Sequence, residues 1–123
     1  GRSKSSEKFS KKIGSTWLHN KNIVHLDLEK FDAIINCTSL GFGKLINKSP
    51  ISFSQLDNNK KKLNVFDIIY KPKNTKLILN AKRKKLKTLN GLDMNLRQAV
   101  LAFGYVMKKP KQNKLTLKYM SSI

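Results

Sequence analysis

Gly91 at a strand-to-helix break, and Gln98 about two helical turns further on, are residues whose types and spacing suit ligand chemistry. A strand, a glycine turn and a helix in that order bring free backbone amides and the positive end of a helix toward a ligand. Gln98 carries a donor and an acceptor on one side chain. Thr38-Ser39-Leu40-Gly41-Phe42-Gly43 sets two hydroxyls and several unhindered amides directly after an apolar run. Tyr70 closes a second such run. Ligands of open α/β sheets lie beyond the carboxyl ends of the strands, so both positions are candidate contacts. Each also has an ordinary reading: a turn of small residues for the first, a strand-end aromatic with its hydroxyl in water for Tyr70. His19 and His25 have no third ligand at metal spacing and no nearby Ser or Cys partner in sequence, so they read as packing or surface residues and no metal is expected. Cys37 lies inside an apolar run and reads as a buried, reduced thiol. A lone cysteine excludes an internal disulfide and fits a cytoplasmic location.

Several elements must position these residues. Residues 31–37 form a continuous apolar run, the pattern of a buried parallel strand. Residues 63–70 form a second, and residues 86–89 a shorter third. Between the last two, Asn74 or Thr75 caps a helix running to about Lys84, with Leu77, Ile78 and Ala81 inward. Its final turn gathers Arg83, Lys84 and Lys85 at the negative end of the dipole. Asp93 reads as the N-cap of the last helix, where Leu96, Val100, Phe103 and Met107 paint one apolar stripe. At the front, Ser5 or Ser6 caps a helix that turns Phe9 and Ile13 inward. Residues 23–26 alternate weakly, as a short strand would, and residues 27–31 suit one helical turn. Ile51, Phe53 and Leu56 suggest a short helix or turn under the loop. Strands alternating with helices define an α/β class with a parallel sheet. Residues 1–109 read as one domain, and residues 110–123 as an extended or disordered tail in which Leu115, Leu117 and Tyr119 alternate.

A length of 123 residues suffices for one core. No apolar run nears the roughly 20 residues of a membrane helix, and the polar, basic N-terminus is unlike a secretory signal. The formal net charge of +19 is nearly all lysine, accompanied by many Asn and Ile, which reads first as compositional bias. Such a field attracts phosphates, so a small lysine-rich nucleic-acid-binding protein is the alternative function. Against it, only Arg2, Arg83 and Arg97 offer the planar fork favoured in specific recognition. The aromatics also sit mostly within apolar segments rather than among basic ones.

Four segments, in order, resemble the shikimate dehydrogenase family. Gly1-Arg2-Ser3 is similar to the end of its "NRT" cofactor motif. Ile34-Ile35-Asn36-Cys37-Thr38-Ser39-Leu40-Gly41-Phe42 is similar to its "INATSLGM" segment. Val65-Phe66-Asp67-Ile68-Ile69-Tyr70 is similar to its "VFDIVY" strand. Gly91-Leu92-Asp93-Met94-Asn95-Leu96-Arg97-Gln98 is similar to its C-terminal glycine, methionine and glutamine motif. The resemblance implies part of a Rossmann-like parallel sheet with flanking helices, the C-terminal portion of an NADP-binding domain. It implies reversible hydride transfer between NADPH and the carbonyl of 3-dehydroshikimate, which gives shikimate; quinate is a variant substrate. Cofactor contacts would be Arg2 and Ser3 at the 2′-phosphate, Thr38 and Ser39 on the nicotinamide side, and Ile68, Gly91 and Met94 near the ring. Substrate contacts would be Tyr70 and Gln98. Gly1 replaces the family's Asn, and Asp93 its usual Gly.

The first strands and the glycine-rich turn that seats a pyrophosphate have no counterpart in this sequence. Nor does the family's substrate domain, with its catalytic Lys and Asp. The expectation is a C-terminal fragment without turnover of its own, marginally stable, and partnered by the missing domain or a second chain because its sheet edge is open.

Overall fold

The computed structural model describes residues 1, 3–57, 63–108, 117, 118 and 120. The first helix, α1 (Lys4–Lys12), begins at Ser3, whose extended backbone lets its hydroxyl accept from the Ser6 amide. Ser5 and Ser6 are already helical, so neither is the cap. Phe9 and Ile13 are exposed rather than turned inward. Residues 20–25 form a 3-10 helix, not a strand; His19 Nδ1 accepts the Lys21 amide and starts it. A single 3-10 turn follows at Leu28–Lys30, capped by Asp27.

Three parallel strands, β1 (Ala33–Asn36), β2 (Asn64–Asp67) and β3 (Lys87–Leu89), lie in the order β1-β2-β3. The register sets Ile34 beside Val65 and Asn36 beside Asp67. Side chains alternate across a strand, so these four share one face. That face packs against α3 (Lys76–Arg83), with α2 (Phe53–Asp57) beyond it. Leu28, Ile51, Leu56, Leu63, Val65, Leu77, Ile78 and Ala81 make the core. Thr75 caps α3, and its inner face is the expected one.

The other face of β1 is open. Ile35 is 62% exposed, so this strand is not buried on both sides as its apolar run suggests. The last helix, α4 (Gly91–Val106), starts three residues earlier than expected: Asn90 is the cap, and Asp93 supplies the capped amide. Its stripe buries Val100 fully and Leu96 in part, while Phe103 and Met107 remain exposed. Most of the tail falls outside the described residues, and with it the alternation at Leu115 and Tyr119; Leu117, Lys118 and Met120 have helical backbone. Among the described residues no helix is long and apolar enough to cross a membrane.

Candidate functional site

A buried polar network ties the carboxyl ends of β1 and β2 together. Asp67, 2% exposed, accepts from Asn36 Nδ2 at 3.1 Å and from the Ile69 amide at 3.1 Å on one oxygen. Its other oxygen accepts from Thr75 Oγ1 at 2.6 Å, and Thr75 Oγ1 in turn caps the Ile78 amide. Asn36 Oδ1 accepts the amide and the hydroxyl of Thr38, and Thr38 Oγ1 accepts the Leu40 amide. Asn36 Nδ2 also reaches Leu40 O. One chain of hydrogen bonds therefore fixes the loop after β1, the end of β2 and the start of α3. Gly41 fits this junction because its φ of +106° disfavours a side chain and a Cβ would press on Thr75.

The loop and strand end held in this way enclose a cleft of about 370 Å³. Its walls are Cys37, Thr38, Ser39 and Phe42 on one side and Ile68, Ile69, Tyr70 and Lys71 on the other. Cys37 is exposed here, not buried, because β1 ends at Asn36 and the next residue already lies at the rim. The Thr38 hydroxyl is committed to the loop, whereas Ser39 and Tyr70 have no side-chain hydrogen bond among the described residues.

The amino end of α4 locks onto the same strand end. The Gly91 amide donates to Ile69 O at 3.1 Å, and a Cβ at Gly91 would run into the Ile68 carbonyl. Asn90 Oδ1 caps Asp93 N while its Nδ2 donates to Lys73 O. Met94 and Gln98 follow Gly91 by three and seven residues and share its face of the helix. They lie outside the walls of the cleft. Asn90→Ala removes both the cap and the tie to Lys73, so a stability loss of about 0.5–2 kcal/mol is expected in chemical denaturation.

Thr38, Ser39, Ile68 and Tyr70 thus meet in one cleft, and Gly91 abuts its back. Ser3 is not in these walls; its hydroxyl caps α1. Arg2 lies outside the described residues. Sequence reasoning missed Asn36, Asp67 and Asn90 as organising residues. A signal existed: an Asp and an Asn at the ends of apolar strands are costly to bury without partners. Among the described residues no cluster of His, Cys, Asp or Glu could hold a metal ion.

A parallel sheet with a cleft at the carboxyl ends of its strands defines an α/β protein of the Rossmann-like class. No family model matches the chain. It is 35% identical over 121 residues to the shikimate dehydrogenase (NADP(+)) of Methanococcus maripaludis, covering 91% of this chain and 42% of that protein. The enzyme of that name from Bacillus subtilis is 36% identical over 90 residues, 69% of this chain and 31% of its own. The chain belongs to the shikimate dehydrogenase family, and it spans less than half the length of these curated relatives. Solved structures agree in fold. Shikimate 5-dehydrogenase from Listeria monocytogenes, in complex with shikimate and NAD, superposes with a TM-score of 0.78 at 24% identity, over 95% of this chain and 41% of that one. A shikimate dehydrogenase in complex with NADP+ gives 0.63 at 25% identity, over 90% and 40%.

Proposed function

We propose that this chain is the C-terminal part of a cytoplasmic NADP-dependent shikimate dehydrogenase, with residues 1–109 forming the end of the cofactor domain. The observation that carries the proposal is the single cleft shared by Thr38 and Ser39 from one motif and Ile68 and Tyr70 from another. The residues fit the cofactor. The cleft is lined largely by apolar surface, suited to a nicotinamide ring, and its volume falls within the range of small-molecule sites. When bound, the reduced dinucleotide would supply a hydride to the carbonyl carbon of 3-dehydroshikimate.

This chain's residues would bind and orient. Ser39 offers a free hydroxyl at the rim, and Ile68 an apolar wall. Thr38 shapes the loop, and Arg2 and Ser3 would hold the 2′-phosphate. Gly91 brings α4 close, so that Met94 stands toward the ring and Gln98 and Tyr70 toward substrate hydroxyls. Proton transfer and the glycine-rich phosphate turn would come from polypeptide outside this chain. Among the described residues no strand pairs with the outer edge of β1, and with Ile35 exposed beside it this edge offers the place for a further strand.

The experiment compares the 123-residue chain with the intact natural polypeptide that contains it, following NADPH formation from shikimate. Turnover is expected from the intact polypeptide and none from the chain alone. Gln98→Ala in the intact polypeptide should lower kcat/KM about tenfold, the worth of one hydrogen bond near 1.4 kcal/mol. An intact polypeptide that folds yet neither binds NADP nor oxidises shikimate would overturn the reading.

A further inference from the structure

A second, larger cleft lies away from the one described, between the segment leading into α2 and the side of α3, with a volume of about 670 Å³. Lys48, Lys76 and Arg83 line it, and among the described residues no acidic one does. None of the three cations has an ion-pair partner among the described residues. Asn80 forms part of the wall and is only 6% exposed. Its side-chain amide has no hydrogen-bond partner among the described residues, unlike that of a second amide in the wall. This second amide, Gln55, donates to Ile23 O and accepts from Ser52. Buried amides in native proteins rarely go unpaired, so this one is available to a ligand.

From this juxtaposition of three unpaired cations with one buried, unpaired amide, we propose that the cleft binds a phosphate-bearing small molecule. The amide N–H groups of Asn80 donate to phosphate oxygens where water is scarce, and the fork of Arg83 can donate in pairs. Lys76, one turn before Asn80 on α3, and Lys48, from the segment leading into α2, add positive field. The volume admits a ligand up to about nucleotide size. This site shares no wall residue with the cleft of Thr38 and Tyr70, so it stands apart from the dehydrogenase reading.

The test titrates inorganic pyrophosphate, and citrate as a carboxylate counterpart, into the intact natural polypeptide with NADP already saturating, at near-physiological salt, followed by calorimetry. Saturable binding of pyrophosphate at one site is expected, at least tenfold tighter than citrate. Asn80→Leu should weaken it about tenfold without lowering the unfolding midpoint, because an unpaired amide is removed. Arg83→Gln, at the surface, should weaken it similarly whatever the fate of the Asn80 variant. Lys8→Gln, on α1, carries the same charge change and should leave it intact. Equal weakening by Lys8→Gln would mean attraction to the general positive field and would overturn the site. So would an absence of saturable binding, or Asn80→Leu and Arg83→Gln variants that bind as the parent does.

Discussion

Asp67→Ala is expected to lower the unfolding free energy by about 3–5 kcal/mol. The Ile69 amide, the Thr75 hydroxyl and one proton of the Asn36 amide all donate to this side chain. Removing it leaves these donors in the least hydrated part of the molecule, each costing about 1–3 kcal/mol if nothing replaces the acceptor. Relaxation recovers some of the sum, since Asn36 keeps its bond to Leu40 O. Asp67→Asn should cost less, about 1–3 kcal/mol, because its remaining oxygen still serves Asn36 and Ile69 and its nitrogen can donate to Thr75 Oγ1, while the Thr75 hydroxyl proton loses its acceptor. Urea unfolding of the two variants side by side makes the comparison. If the alanine variant unfolds at the same denaturant concentration as the asparagine variant, the network is not what holds the two strand ends together.

Gly91→Ala should be the second severe change. A methyl group there meets the Ile68 carbonyl, a backbone atom that cannot swing aside as a side-chain tip can. Relief requires α4 to move off the strand end, breaking the bond from Gly91 N to Ile69 O and loosening the Asn90 cap. Overpacking of this kind costs about 1–3 kcal/mol, occasionally more, and the upper end is expected here. The functional effect should be larger still. On the proposed function, Met94 and Gln98 ride on the displaced helix, and a shift of about 1 Å in a positioning element can cost roughly 100-fold in rate. Unfolding by denaturant and shikimate turnover by the intact polypeptide measure the two effects. A variant with unchanged stability and turnover would show that α4 can pivot at no cost, contrary to the close contact seen.

Much of the layout was legible from residue types. The three strands, the helix capped by Thr75 and its inner face of Leu77, Ile78 and Ala81 follow from period and propensity, which are local properties. The helix caps were less so. Ser3 and Asn90 take the caps expected of Ser5 or Ser6 and of Asp93, because a cap depends on which residue is still extended when the helix starts. Burial was misjudged at Ile35, Phe9, Ile13 and Phe103 for a different reason. An apolar run records the surface a chain can bury, not whether a neighbour is present to cover it.

By itself the sequence determined the family, through four ordered motifs, and the α/β class, through alternating local periods. Both depend on residues close together in the chain. Tertiary structure alone decided that Thr38 and Tyr70 share one cleft, that Cys37 stands at its rim, and that Asp67 binds three segments from within. These facts depend on strand register and on the crossover through α3. Register is fixed by pairing between distant stretches; the local apolar pattern says which residues of a strand face the core, but not which residue of a remote strand each one meets.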